Sequence, residues 1–522
     1  MDKNRFPVQV AAIDMGSNAV RFIIANFDSL YHYQRVYYHR EPIRLGHSVF
    51  VNGKLDPELM NRCIELIGQF KEIIKEYPVA AMRCIATSAV RESTNGEEFI
   101  KKILDTTGFK LEVISGNEEA RLVYQAISSK IPLLNHHWVL VDLGGGSVEI
   151  SLINHHGVMW SQSHTMGSVR LLEELNATNN GKDKLSKIIA DYVASLKLPH
   201  QIRYSQIFGF IATGGNIEDL ADISMAPATQ DGVNQLPLSK LQSTIELLFR
   251  LSYNERISEL KLRPDRADVI LPAAMVYERL CTQSGMKQIY VPRVGTKEGV
   301  LIDLVKQLSH PKSHEIAQEL MIEESCHQMG VKYMYDDLHA KKVKILSVSL
   351  FEQLQPFHQL KPGDCKLLIA SSLLHDIGTY ISYSSHHKHS MYLILNEDLA
   401  GFNENQKLLV ANIARYHRKS APNINHNEFR VLSPDDQQKV LLLSAILRIA
   451  DACDREHLQK VQGIKVNQKY QGIFSFQVYG EGDLGLEMWA VQKKAKLFEE
   501  VYRAQVLISE ISQGGHAHEY DE

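Results

Sequence analysis

Short apolar runs of strand length alternate with amphipathic stretches of helix length from residue 8 to about residue 125, as α/β units do. Leu59 to Tyr77 repeats its apolar positions at helical spacing. Val79 to Ala86 and Leu111 to Ile114 are strand-like, and the first ends in Thr87-Ser88-Ala89-Val90-Arg91. A second set of strands begins over residues 138–154 and continues at Ile207 to Ala212. Ser309-His310-Pro311-Lys312-Ser313-His314 is polar and broken by proline, which predicts a boundary there. From about 315 to 460 the periodicity is helical. Alternation returns at Ile464-Lys465-Val466 and Ile473 to Val478, and a helix is predicted from about Lys493 to Ile511. The chain therefore divides into α/β lobes over 1–125 and 126–308, an all-α region over 314–460 and a small α+β region over 461–522, whose end from Gly514 to Glu522 reads as disordered.

One short pattern occurs twice. Ile13-Asp14-Met15-Gly16-Ser17-Asn18-Ala19-Val20 matches Val141-Asp142-Leu143-Gly144-Gly145-Gly146-Ser147-Val148 at an offset of 128 positions. Each copy follows a buried-strand pattern and leads into another strand (Phe22-Ile23-Ile24-Ala25; Ile150-Ser151-Leu152-Ile153). Two such copies imply two related lobes facing across a cleft. Turns of Gly, Ser and Asn aim backbone N–H groups at phosphate oxygens, and an Asp at the strand end suits Mg²⁺, a cation that takes oxygen ligands. Thr213-Gly214-Gly215-Asn216, after a third strand, adds to the phosphate reading. Ser115-Gly116-Asn117-Glu118-Glu119-Ala120-Arg121 opens a helix after another strand. Its carboxylates could serve the cleft as a base, or simply favour the first helical turn.

Composition narrows the class. Hydrophobic residues make up 44% and charged residues 23% of 522, with net charge -4, so a general nucleic-acid binder is not expected and any polyanion must meet local basic groups. Six scattered cysteines without a Cys-x-x-Cys suit a reducing cytoplasm. No signal peptide and no apolar run of membrane-spanning length occurs. A Walker-type loop is also missing, which removes the P-loop enzymes.

Taken in order, Asp14 to Asn18, Ala86 to Arg91, Ser115 to Arg121, Asp142 to Ser147 and Thr213-Gly214-Gly215 resemble the exopolyphosphatase / guanosine pentaphosphate phosphohydrolase family. Ala414 to Lys419 extends the likeness to its longer members. The resemblance implies two actin-like (ribonuclease H-like) lobes, and Mg²⁺-dependent hydrolysis of a terminal phosphoanhydride by water. Glu119 would be the general base. Asp142 and Asp14 would hold metal, and Glu149 would hold water or metal. Ser17, Asn18, Gly144, Gly145, Gly146, Ser147, Thr213, Gly214 and Gly215 would grip phosphates, and Arg91 would neutralise charge built up in transfer. The substrate would be inorganic polyphosphate, or guanosine pentaphosphate cut to the tetraphosphate of the stringent response. The resemblance also implies a homodimer.

The helical region holds His339, His375-Asp376 and Asp451, which fit the H…HD…D pattern of the HD phosphohydrolase superfamily. Imidazole and carboxylate ligands on three helices would suit a second divalent ion: Mn, Fe, Ni, Co or Zn. His386-His387-Lys388-His389 reads instead as a basic patch. Further cations for a long polyanion are Arg44, Arg263, Arg266, Arg293 and Lys297, with Arg415, Arg418 and Lys419 from the helical region. Two other readings stand beside hydrolysis in the cleft: a non-catalytic alarmone or polyphosphate sensor, and a nucleotide phosphohydrolase acting from the HD-like region.

Overall fold

The computed structural model describes residues 6–177, 207–309, 311–397, 399, 401–470 and 472–511. The expectation for Gly514 to Glu522 lies outside them. The chain forms two compact units, divided between Ala317 and Gln318.

The first unit holds two sheets of one topology. Strands β1 (Val8–Met15), β2 (Val20–Ser29), β3 (His32–Glu41), β4 (Val79–Ala86) and β5 (Leu111–Val113) lie in the order 3-2-1-4-5. The second sheet is built from β6 (His137–Leu143), β7 (Val148–Asn154), β8 (Gly157–His164), β9 (Ile207–Thr213), β10 (Asn234–Pro237) and β11 (Gln288–Val291). It runs 8-7-6-9-11 with β10 added at the edge. In both sheets the first three strands are antiparallel and the next two join in parallel. Asp14 pairs with Arg21 across β1 and β2, and Asp142 pairs with Glu149 across β6 and β7. The sequence repeat is thus a structural repeat, and this mixed α/β architecture is the actin-like fold. The central strands are buried on both faces, so they read as continuous apolar runs.

The lobes are not simple chain segments. The helix Thr296–Ser309, expected to close the second lobe, covers the first sheet instead. Val300, Leu301, Ile302 and Val305 share a core with Val10, Ala12 and Ile23. It also lies against helix Gly116–Ser128, where a Cβ on Gly299 would stand 1.9 Å from the Leu122 carbonyl oxygen. A buried ion pair fixes the two helices. Asp303, 1% exposed, accepts from Arg121 at 2.7 Å and lies 3.5 Å from Arg83.

The second unit is helical from Gln318 to Ala452 and ends in a three-stranded sheet: β12 (Val461–Tyr470), β13 (Ile473–Gly480) and β14 (Gln505–Glu510). Pro311 opens the helix Pro311–Lys332, where a first-turn proline forfeits no intrahelical donor. Two expectations are corrected here. The helix predicted from Lys493 to Ile511 ends at Tyr502; Arg503 turns left-handed (φ 51°), and Val506 and Ile508 then alternate with exposed neighbours as strand β14. The α+β tail is no separate domain, since Val461, Phe474, Phe476 and Phe498 join the core of Leu350, Leu368 and Ile446. Among the described residues, no helix is long and apolar enough to cross a membrane. All six cysteines are free thiols.

Candidate active site

The two repeated turns fold alike and meet. The Gly16 N–H donates to the Ala19 carbonyl at 3.1 Å, and Gly144 donates to Ser147 at 3.0 Å. Each turn therefore presents its remaining N–H groups at the C-terminal edge of its sheet. Ser17 Oγ lies 2.9 Å from Ser88 Oγ. A Cβ built on Gly146 would meet Phe50 and Ser88 Oγ at 2.4 Å and Ser17 Oγ at 3.0 Å, so only glycine lets the second loop seat against the first lobe. The cleft between them encloses about 240 Å³ and includes Asp14, Ser17, Asn18, Gly144, Gly145, Ser147, Gly214 and Gly215 in its lining.

One wall carries acids. Ser115 caps helix Gly116–Ser128 through the Glu118 N–H at 3.2 Å. Gly116 lets that helix start against Ser163, where a Cβ would stand 2.7 Å away. The helical period then splits the acid pair. Glu118 turns to Arg121 and Arg83, whereas Glu119 points into the cleft. Carboxylate oxygens of Glu119, Asp142 and Glu149 all lie within 4.8 Å of one another, and all three residues are buried. Asp142 Oδ1 accepts from Thr213 Oγ1 at 2.7 Å, and Glu149 Oε1 accepts from Ser163 Oγ at 2.9 Å. Glu119 Oε2 and Glu149 Oε2 are buried without a hydrogen bond. Burial first, then the Glu149 and Asp142 charges, holds the Glu119 carboxyl well above the usual carboxylate range. Burial and the Asp142 charge push Glu149 up to about 7. Three converging carboxylates with two unsatisfied oxygens are the donor set a hard divalent cation takes.

The remaining walls carry Arg21, Arg40, Arg263, Arg266 and Lys297. Burial, and then the neighbouring Arg21 guanidinium, lowers Arg266 to about 10. Arg40 is lowered first by burial, and Arg263 and Arg21 add to the effect. Cations that depress one another make a site that gains from a bound polyanion.

The structure moves several expected residues. Arg91 is not in the cleft lining; it donates to the Ile114 carbonyl at 2.7 Å, holding the turn that precedes Glu119. Thr213 supports Asp142 rather than facing the cleft, and Gly146 is spent on the contact between lobes. Asp14 lines the cleft, but its Oδ2 takes Arg21 at 2.9 Å, and the residues gathered with Asp142 are Glu119 and Glu149. Arg44 is held by Asp268 at 2.7 Å and Asn18 at 3.2 Å. Arg293 pairs with Asp222 on the surface. Sequence reasoning missed Arg21, Arg40 and Glu218 as lining residues. The repeat itself could have found Arg21, which stands 128 positions before Glu149 and pairs with Asp14 as Glu149 pairs with Asp142.

In the second unit His339, His375, Asp376 and Asp451 come together, with His386 and His417 beside them. His386 and His387 are buried, so only Lys388 of the expected basic patch is exposed. Arg415 is tied to Glu428 at 3.0 Å.

A model of the Ppx/GppA phosphatase family matches residues 23–308, and a model of domain III of that family matches residues 322–473. The chain belongs to the Ppx/GppA phosphatase family. It is 26% identical over 470 residues to a guanosine-5'-triphosphate,3'-diphosphate pyrophosphatase of Photobacterium profundum, covering 86% of this chain and 87% of that one. A solved exopolyphosphatase from Cytophaga hutchinsonii shares 24% identity at a TM-score of 0.52, over 57% of this chain and 97% of that one. The Aquifex aeolicus Ppx/GppA member shares 24% identity at a TM-score of 0.49, over 58% of this chain and 99% of that one. The likeness to the Cytophaga structure is one of fold. This Ppx/GppA chain is therefore a phosphatase, and the acid wall and cation wall of its cleft are the parts such a reaction needs.

Proposed function

We propose that this chain is an exopolyphosphatase that removes the terminal phosphate of inorganic polyphosphate as orthophosphate. The observation that carries the reading is the free, buried Glu119 Oε2, aimed into a cleft whose facing walls are phosphate-type turns and clustered cations. Asp142 and Glu149 would hold Mg²⁺, which when bound supplies charge stabilisation at the terminal phosphate. Burial keeps Glu119 a stronger base than an exposed carboxylate, suited to taking a proton from an in-line water. Backbone N–H groups at Ser17, Asn18 and Gly145 orient the terminal phosphate. Arg21, Arg40, Arg263, Arg266 and Lys297 meet the negative charge of the rest of the chain and of the leaving phosphate. Phosphoryl transfer needs positioning and charge stabilisation more than covalent help, and these residues supply both.

Guanosine pentaphosphate is the second substrate reading, favoured by the similarity to the Photobacterium pyrophosphatase along most of the chain. Both reactions cut a terminal anhydride, so one cleft serves either. Phosphate release from the two substrates, measured side by side with Mg²⁺ for wild type and Glu119→Gln, tests the proposal. A loss of about 10²–10⁴-fold in kcat in the variant is expected, and the ratio of the wild-type rates chooses the substrate. Release that persists in Glu119→Gln would remove the chemistry from this cleft. Binding without release in the wild type would make the protein a sensor.

A further inference from the structure

Six residues from five helical segments converge in the second unit. His339 lies in the first turn of Asp337–His358, and His375 and Asp376 directly follow Cys365–Leu374. His386 opens His386–Asn396, His417 follows Glu404–Arg415, and Asp451 lies in the last turn of Pro434–Ala452. All four imidazoles are at most 3% exposed.

Their hydrogen bonds fix which nitrogen carries the proton. His375 Nδ1 lies 2.8 Å from the Ser372 carbonyl, and His417 Nδ1 lies 2.7 Å from the Ala414 carbonyl. His386 Nδ1 lies 3.2 Å from the Tyr383 carbonyl, and His339 Nδ1 lies 2.9 Å from Asp454 Oδ2. Oxygens of this kind take an N–H, so each neutral ring has its Nε2 lone pair turned inward. This is the arrangement that partners of metal-bound histidines impose. Yet His339 Nε2 faces His375 Nε2 at 3.2 Å, and His386 Nε2 faces His417 Nε2 at 3.3 Å. Two lone pairs at that distance repel unless a proton or a metal ion lies between them.

We propose that this cluster is a two-metal centre in which Asp376 Oδ1 bridges the ions. The first ion takes His339, His375, Asp376 and Asp451; the second takes His386, His417 and Asp376. Asp376 Oδ1 lies 3.8 Å from His375 Nε2, 3.0 Å from His386 Nε2 and 3.3 Å from His417 Nε2, and it is buried without a hydrogen bond. Asp451 Oδ1 stands 3.6 and 3.7 Å from His339 and His375. Donors about 2.1 Å from one ion stand about 3.0 Å apart at right angles and about 3.4 Å apart at the tetrahedral angle. The second nest matches that spacing, whereas in the first the carboxylates stand 3.6 to 3.8 Å from the imidazoles and would close in around the ion. A set of imidazole and carboxylate without thiolate selects Mn²⁺, Fe²⁺, Co²⁺, Ni²⁺ or Zn²⁺ over Mg²⁺.

The centre opens to solvent at Asp376, whose side chain is 24% exposed. Arg418 stands there, with Nη1 3.0 Å from His386 Nε2, and it swings off that nitrogen when the ion binds. Paired divalent ions beside a guanidinium take a phosphoryl group. The second ion's three protein donors leave room for one, so the ligand class is a phosphate monoester. The reaction is hydrolysis. A water oxygen bonds to phosphorus, the P–O bond to the alcohol breaks, and one water proton ends on the leaving oxygen while the other stays with phosphate.

The test uses the full chain, stripped with chelator and kept in excess Mg²⁺. Mn²⁺ is titrated by calorimetry and counted by elemental analysis. The wild type is expected to bind two Mn²⁺ per chain; His386→Ala and His417→Gln are expected to bind one. Wild-type binding of none or one overturns the two-metal assignment whatever the variants do. Unchanged binding of two in variants with wild-type metal-free melting temperature overturns the ligand assignment. In a Glu119→Gln background, Mn²⁺-dependent hydrolysis of p-nitrophenyl phosphate is expected, and a further Asp376→Asn change should remove at least about 10²-fold of it. Two bound Mn²⁺ without that hydrolysis overturns the catalytic half. None of these readouts depends on Glu119, so failure here and failure of the polyphosphate reading are distinguishable.

Discussion

Glu149→Gln should stabilise the Mg²⁺-free protein, and do so more as pH rises. Glu149 is 1% exposed, one oxygen accepts from Ser163, and the other has no partner. Its carboxyl is pushed from 4.5 to about 7, by burial first and then by the Asp142 charge. A shift of that size corresponds to roughly 3 kcal/mol against the charged form. Because the folded value is raised, the stability is present while the group is protonated and is lost as pH climbs from 4.5 through about 7. At about pH 5.5 the wild type bears a little over 1 kcal/mol of the penalty, and at about pH 8.5 all of it. The amide keeps the size and the Ser163 hydrogen bond but never ionises. The stability difference between variant and wild type should therefore widen by about 2 kcal/mol between those pH values, a shift of a few degrees in melting temperature. Thermal unfolding at both pH values, with and without Mg²⁺, measures it. Saturating Mg²⁺ should reverse the order, because the wild type regains the penalty by binding the ion and the variant has lost a ligand. A difference that does not change with pH, or a variant stabilised by Mg²⁺ as much as the wild type, would refute the acid cluster as a cation site.

Phosphate release should rise as pH passes through about 7, because Glu119 and Glu149 act as carboxylates, and added Mg²⁺ should move the rise to lower pH; a pH–rate profile at two Mg²⁺ levels shows both. Gly146→Ala should cost about 1–3 kcal/mol and most of the activity, because its methyl meets Phe50 and Ser88 at 2.4 Å and wedges the two turns apart; calorimetry and kcat report the two effects. Asp303→Ala should cost about 1–3 kcal/mol, because Arg121 keeps its pair with Glu118 but its buried Nη1 loses its acceptor, and urea unfolding would show it.

Much of the first unit is legible along the chain. Strands buried on both faces give continuous apolar runs, and a duplicated turn keeps one offset, so the two sheets, their facing turns and Asp142 follow from local pattern and repeat, while Glu119 and Glu149 follow from the family resemblance. What the sequence leaves open is set by contacts between distant residues. Which of Glu118 and Glu119 faces the cleft depends on where the helix period meets the second sheet. Arg91 carries a charge that fits phosphate, yet the Ile114 carbonyl takes it. Thr296–Ser309 follows the second lobe but buries its apolar face on the first, where Val10 and Ala12 supply the matching surface.

The same division holds in the helical unit. The His-Asp pattern marked four residues in order, because their types and spacing are local. His386 looked like part of a charged surface until the fold turned it inward, and His417 had no signal of its own. One carboxylate oxygen placed between two pairs of imidazole nitrogens is a product of tertiary packing, since only the convergence of four helical segments brings those atoms together.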